Sequence, residues 1–201
     1  MRIIVAITGA TGTVLGIRTL QILKDAGIET HLVLSKWGAR TLLHETHHAV
    51  DYVKSLATHC YTDSDQGAPI SSGSFVTDGM IVAPCSVRTL GAIANGYGDN
   101  LVHRSADVIL KERRKLVLMV RETPLSEIHL ENMLKLSRMG VVIAPPVPAF
   151  YDNPQTLEDV TNHIVMRALD SLGIHLDVGA RWEGIKSRSK AVGDFCPTPE
   201  A

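Results

Sequence analysis

Short runs of β-branched and aliphatic residues, each closed by a turn and followed by a stretch of helical period, set the tightest limit on how this chain can fold. Ile3 to Ile7, His31 to Leu34, Met80 to Ala83, Leu116 to Val120 and Val141 to Ala144 are such runs. Apolar segments this short and continuous read as strands buried on both faces. Between them lie helical patterns. Leu15, Leu20, Ile22 and Leu23 mark the first, stopped at Ala26-Gly27, and residues 37–56 the second, in two pieces broken near His48-Ala49. Further helices are expected over 86–95 and 101–113, around Ile128, Met133, Leu134 and Leu136, and from Leu157 to Leu172. Asp63 to Ser74 has no regular period and reads as a polar loop, and Pro84 is expected to end the third strand. Strands that alternate with helices of this length imply right-handed crossovers and a parallel sheet covered on both sides, an α/β three-layer sandwich.

The 201 residues are enough for one domain with a real core, and 45% are hydrophobic, which excludes general disorder. Twenty Lys+Arg against 21 Asp+Glu leave a net charge of -1, which argues against a nucleic-acid partner. Aromatic residues, at 4%, are too few for a base-stacking surface. Cys60, Cys85 and Cys196 are odd in number and widely spaced, so no disulfide framework is expected. The apolar start, Ile3 to Ile7, is too short for a secretory signal, and no run approaches a membrane span. A soluble, cytoplasmic protein is expected, with a domain over 1–183 and a polar tail over 184–201 that is flexible or packed on a neighbouring subunit.

In open α/β sheets ligands bind beyond the carboxyl ends of the strands. That rim gathers Thr8-Gly9-Ala10-Thr11-Gly12, Ser35-Lys36, Pro84-Cys85-Ser86, Arg121-Glu122-Thr123 and Pro145-Pro146. Hydroxyls, backbone donors and an arginine suit a phosphorylated ligand. Gly9, Gly12 and Gly16 open the first helix and favour phosphate at its N-terminus over a purely structural tight turn. Their spacing is not that of the dinucleotide fingerprint, and Ser35-Lys36 stands where an NAD site places an acid. Ser86 and Thr89 put two hydroxyls at the start of a helix, either for a ligand or for simple capping. Cys85 has no histidine nearby in sequence and reads as inert.

His44-Glu45-Thr46-His47-His48 matches the zinc-protease pattern literally. The alternating α/β pattern and the lack of a supporting acid on a later helix argue against it, and no metal is expected. Arg121 and Glu122 end the fourth strand, as a phosphate ligand and an acid or base, or as a surface ion pair. Tyr151 follows a stiff Pro-rich turn, Arg104 and Lys111 belong to a cationic run that reads mostly as a solvated face, and Arg167 on the last helix gives no local reason to choose function over a salt bridge.

Thr8-Gly9-Ala10-Thr11-Gly12, Cys85-Ser86 before Thr89-Leu90, Ala106-Asp107-Val108 with Leu110 to Arg114, Arg121 to Pro124, Ile128 to Met133 and Phe150-Tyr151 together resemble the UbiX-like flavin prenyltransferases. The resemblance spans about 2–182, and the subgroup that accompanies phenolic-acid decarboxylases is the nearest. It implies a flavodoxin/Rossmann-like fold, a homo-oligomer that is commonly a dodecamer, and FMN sites between subunits. The implied reaction joins a dimethylallyl group from dimethylallyl phosphate to reduced FMN, at N5 and then C6. The product serves a separate UbiD-type decarboxylase, and no metal takes part.

By the same resemblance Gly9, Ala10, Thr11, Ser35, Ser86, Val87, Arg88, Thr89 and Arg121 bind FMN. Arg104, Lys111, Tyr151 and Arg167 hold the prenyl phosphate, Glu122 moves a proton with Glu45 nearby, and Lys111 and Tyr151 act in catalysis. Arg181-Trp182 orders over the site. Two departures stand out: Thr11 replaces the serine of many relatives, and Asp65-Gln66-Gly67 lacks a tryptophan some carry before Ala68-Pro69. An FMN-dependent aromatic (phenolic) acid decarboxylase and a non-catalytic FMN-binding subunit remain the alternatives.

Overall fold

The computed structural model describes residues 1–184; all but the first residue of the expected tail lies outside them. Strands β1 (Arg2–Ile7), β2 (Glu29–Leu34), β3 (His59–Thr62), β4 (Gly79–Cys85), β5 (Lys115–Val120) and β6 (Val142–Ile143) form one sheet. Their order is β3-β2-β1-β4-β5-β6 and every pairing is parallel. The order reverses between β1 and β4, which opens a crevice at the carboxyl ends of those two strands.

Among the described residues seven α-helices flank the sheet, the last of them following the final strand: α1 (Thr13–Asp25), α2 (Lys36–Glu45), α3 (Val50–Ser55), α4 (Val87–Ala94), α5 (Leu101–Lys111), α6 (Glu127–Arg138) and α7 (Leu157–Leu172). Strand alternation splits the core in two. Ile3, Val5 and Ile7 of β1 face the layer that holds Leu20, Leu23 and Leu169, whereas Ile4 and Ala6 face the layer of Leu90, Leu101 and Ile109. No helix among the described residues is long and apolar enough to cross a membrane.

Two expectations fail. The sequence reading has five strands, and β3 is a sixth, carried by His59-Cys60-Tyr61-Thr62, mostly exposed at the sheet edge. Pro84 does not end β4. The strand runs through it to Cys85, with the register shifting between Val82 and Cys85, where a residue with no N–H is tolerated. Residues 37–56 do form two helices, parted at 46–49.

Candidate active site at the switch point of the sheet

Where β1 and β4 diverge lies an open cavity of about 580 Å³, within the range of about 300–1,000 Å³ usual for small-ligand sites. It is lined from four strand ends: Thr8 and Gly9 after β1, Ser35, Lys36 and Trp37 after β2, Asp63 and Ser64 after β3, and Ser86, Arg88 and Thr89 after β4. Asp99, Asn100 and His103 close it from the start of α5.

Two helices point their N-termini at this space. Ser35 caps α2, its Oγ accepting from the Gly38 N–H at 2.9 Å. Ser86 caps α4, its Oγ accepting from the Thr89 N–H at 3.3 Å and donating to Thr89 Oγ1 at 3.1 Å. Thr8 ties the two sides of the crevice: its hydroxyl donates to the Pro84 carbonyl at 2.7 Å and accepts from the Ser86 N–H at 2.9 Å. The Val87 and Arg88 N–H groups lie in the first turn of α4, where no intrahelical acceptor exists. Lys36 and Arg88 add cationic side chains. This donor set fits a phosphate ester, which needs several N–H and O–H donors around one group.

The glycine loop behaves differently from expectation. Gly12 sits at φ 94° and opens α1, but the loop's donors already have an anion. Glu45 Oε2 accepts from the Gly12 N–H and the Thr13 N–H, both at 3.0 Å, and from the Thr13 hydroxyl at 2.9 Å. Partial burial raises the Glu45 pKa, but these bonds and one from the Thr11 hydroxyl outweigh it and hold the carboxyl below its usual range. The Gly12 and Thr13 N–H groups are thus already paired, and the helix starts that line the cavity are those of α2 and α4. Ala10 and Thr11 do not line the cavity, whereas Gly9 does. At Gly9 an added Cβ would come 2.6 Å from Trp37 Cβ, so the bare backbone is what lets α2 approach.

The zinc-like motif comes apart at the same place. α2 ends at Glu45, and Thr46 is extended at φ -131° and ψ 163°, so His44 and His48 are not one helical turn apart. Cys85 is fully buried, and burial pushes its thiol far above the ordinary range, which leaves it no use as a nucleophile. His103, also buried, has its Nδ1 2.7 Å from Asp99 Oδ1; burial lowers its pKa and Asp99 partly offsets this.

A second polar cluster stands apart from the cavity. Tyr151 Oη and His163 Nε2 are 2.9 Å apart, and the Trp182 ring meets the Tyr151 ring edge-on at 5.3 Å. On α7, Asp170 pairs with Arg167 at 2.8 Å and with two nitrogens of Arg181 at 2.9 and 3.0 Å. These contacts hold the Asp170 carboxyl at about 2, the Arg181 bonds being the largest cause.

The flavoprotein family profile matches residues 1–169. A probable UbiX-like flavin prenyltransferase of Bacillus subtilis is 56% identical over 188 residues, covering 94% of this chain and 92% of its own. The mitochondrial flavin prenyltransferase PAD1 of Saccharomyces cerevisiae is 59% identical over 187 residues, covering 93% of this chain and 77% of its own. The chain belongs to the UbiX-like flavin prenyltransferases. Among solved structures, a dodecameric FMN-dependent UbiX-like decarboxylase from Escherichia coli O157:H7 matches with TM-score 0.90 at 55% identity, covering 92% of this chain and all of its own. AnUbiX, solved with FMN and dimethylallyl pyrophosphate, matches with TM-score 0.91 at 52% identity over 92% of this chain and 98% of its own.

Set against the UbiX-like family pattern, the expected residues fall into separate groups within one chain. Gly9, Ser35, Ser86, Arg88 and Thr89 meet at the cavity. Val87 is half-buried and packs on the core layer under α4. Arg121 and Glu122 are exposed just past β5; the Arg121 N–H donates to the Cys85 carbonyl at 3.0 Å, and Glu122 Oε1 accepts from the Thr123 N–H at 3.0 Å. Tyr151 and Arg167 belong to the second cluster. Arg104 bonds the Ser71 carbonyl and Asp107, and Lys111 pairs with Glu112, both away from the cavity lining. Trp37, Asp63, Ser64, Asp99 and His103 line the cavity but escaped the sequence reading. Recognising β3 would have brought Asp63-Ser64 to the rim by the strand-end rule.

Proposed function

We propose that this chain is a flavin prenyltransferase that moves a dimethylallyl group from dimethylallyl phosphate to reduced FMN, making prenylated FMN for a UbiD-type decarboxylase. The observation that carries this reading is the cavity in which the serine-capped starts of α2 and α4 converge, in a chain of this family. Gly9, Ser35, Ser86, Arg88 and Thr89 hold the FMN phosphate and its neighbourhood, with Arg121 reaching the same rim. Bound and reduced, FMN supplies the nucleophilic ring atoms that receive the allyl group.

The residues of the chain handle charge. Breaking an allylic C–O bond leaves a cation and a phosphate dianion, so donors fixed on the phosphate lower the barrier most. Arg104, Lys111, Tyr151 and Arg167 fill that role. Closing the second bond releases a proton, which Glu122 or the departing phosphate accepts. Since these groups lie apart from the cavity in one protomer, the complete site forms where copies meet, in keeping with the dodecamer of the Escherichia coli relative. A cytoplasmic location belongs to the same proposal, and fractionation of the native cells tests it.

The test is direct. Protein, reduced FMN and dimethylallyl phosphate, or the pyrophosphate, are mixed without oxygen and the flavin is weighed by mass spectrometry. A gain of one dimethylallyl group is expected, and an unchanged mass overturns the reading. The name of the Escherichia coli relative favours one rival, direct decarboxylation. Carbon dioxide released from a phenolic acid by this chain with FMN alone would replace the transferase reading with that one.

A further inference from the structure

Tyr151 is fixed from two sides. Its ring is met edge-on by His163, at 5.6 Å and 84°, and by Trp182, at 5.3 Å and 80°. Its oxygen lies 2.9 Å from His163 Nε2. His163 is itself largely enclosed, its side chain 14% exposed, whereas Tyr151 is exposed. Asp152 Oδ2 lies 3.8 Å from the same Nε2. That carboxylate oxygen is buried and has no hydrogen-bond partner among the described residues.

A phenol has one proton, and where that proton points decides what the oxygen can do for an anion. If Nε2 lacks a proton, the Tyr151 O–H donates to it and turns only lone pairs to a phosphate, which is repulsive. If Nε2 carries a proton, it donates to the Tyr151 oxygen, and the phenol's own O–H is released toward the ligand. The unpartnered Asp152 oxygen, 3.8 Å from that nitrogen, favours the ring tautomer with its proton on Nε2.

We infer that His163, backed by Asp152, is a positioning residue that aims the Tyr151 hydroxyl at the prenyl phosphate as a donor. The inference rests on the functional reading above and adds a group to it. α7 supports it by spacing: His163 and Arg167 are four residues apart and share a helix face, with Asp170 three further on holding Arg167 and Arg181. One helix thus anchors Tyr151, Arg167 and Arg181.

The experiment compares His163→Phe, His163→Gln, Tyr151→Phe and the double change His163→Phe with Tyr151→Phe. Phenylalanine keeps a ring and its edge contact but has no N–H. Glutamine can return an amide N–H near the position of Nε2. The expected result for His163→Phe is a KM for dimethylallyl phosphate raised about tenfold, the size of one oriented hydrogen bond, with FMN affinity and melting temperature at wild-type values. Glutamine should restore KM to within about twofold, and His163→Phe should add nothing once Tyr151 is phenylalanine.

A wild-type KM in His163→Phe, an equal loss in the Tyr151→Phe background, or a glutamine variant no better than phenylalanine each overturns the inference. Wild-type protein that leaves the flavin unchanged in the same assay overturns the functional reading and this inference with it. Active wild-type protein with an indifferent His163 overturns the inference alone.

Discussion

Glu45 shows how a single side chain can hold a structural post that its sequence context does not announce. In sequence it is the middle of a zinc-like motif or a distant partner in proton transfer. In the structure its carboxylate is the cap of α1, closing the glycine loop through Gly12, Thr13 and Thr11. Glu45→Gln should cost about 1 kcal/mol, the value of a helix cap at an exposed position. The pH dependence has a definite sign. Because the folded pKa lies below the ordinary 4.5, the stabilisation is fully present above that value and is lost as pH falls through the folded pKa. Thermal melts of the two proteins should differ by a constant amount above about pH 5 and converge only once the pH has fallen through that lowered folded value. A gap that persists in acid would mean the carboxylate's charge is not what caps the helix.

Ser86 poses the same question in a form one experiment separates. Its Oγ caps α4 while facing the cavity, so a loss on mutation has two causes. Ser86→Ala should lower stability by about 1 kcal/mol and weaken FMN binding. Ser86→Asp keeps a capping oxygen but puts a negative charge beside the bound phosphate. Stability should stay near wild type, while FMN dissociation, followed by fluorescence quenching, rises at least about tenfold. Equal FMN affinity in Ser86→Asp would show the serine to be a cap and nothing more.

At the scale of elements, the long buried strands were legible because an all-parallel sheet demands continuous apolar runs, and β1, β4 and β5 supply them. β3 was not, since four mostly exposed residues at an edge need no such run. With β3 went Asp63 and Ser64, the part of the cavity that follows it. The α4 cap was legible because serine before a helix carries a local physical reason. The α1 loop was half legible: its glycines announced a tight turn, but the anion that fills it comes from 33 positions later in the chain. Gly16 marks where α1 crosses the sheet, and there a Cβ would lie 2.3 Å from the Ala83 carbonyl oxygen and 2.7 Å from Ile7 Cγ1. Alanine normally stabilises a helix over glycine by about 1 kcal/mol. Here the backbone oxygen cannot yield, so Gly16→Ala should lower the melting temperature by roughly 3–10 °C, and a rise would show that α1 can move off the sheet.

At the scale of the whole molecule, the proposed site divides into two sets of residues that one chain keeps apart. The cavity between α2 and α4 holds what an FMN phosphate needs, while Tyr151, Arg167, Arg104 and Lys111 lie outside its lining. The proposed function requires a second copy to bring the two sets together. Helix α6 carries exposed apolar side chains suited to that: Leu130 and Leu134 are four residues apart, each 52% exposed. Leu130→Glu with Leu134→Glu should leave the fold intact by circular dichroism, because both side chains lie outside the core. It should also shift the native mass from a multiple of the chain to smaller species and abolish prenyl transfer. Light scattering gives the mass and the flavin assay gives the activity, on one preparation. A fully active variant of reduced mass would place the whole site within one chain, and the separation of its two halves would then have to close by motion inside the protomer.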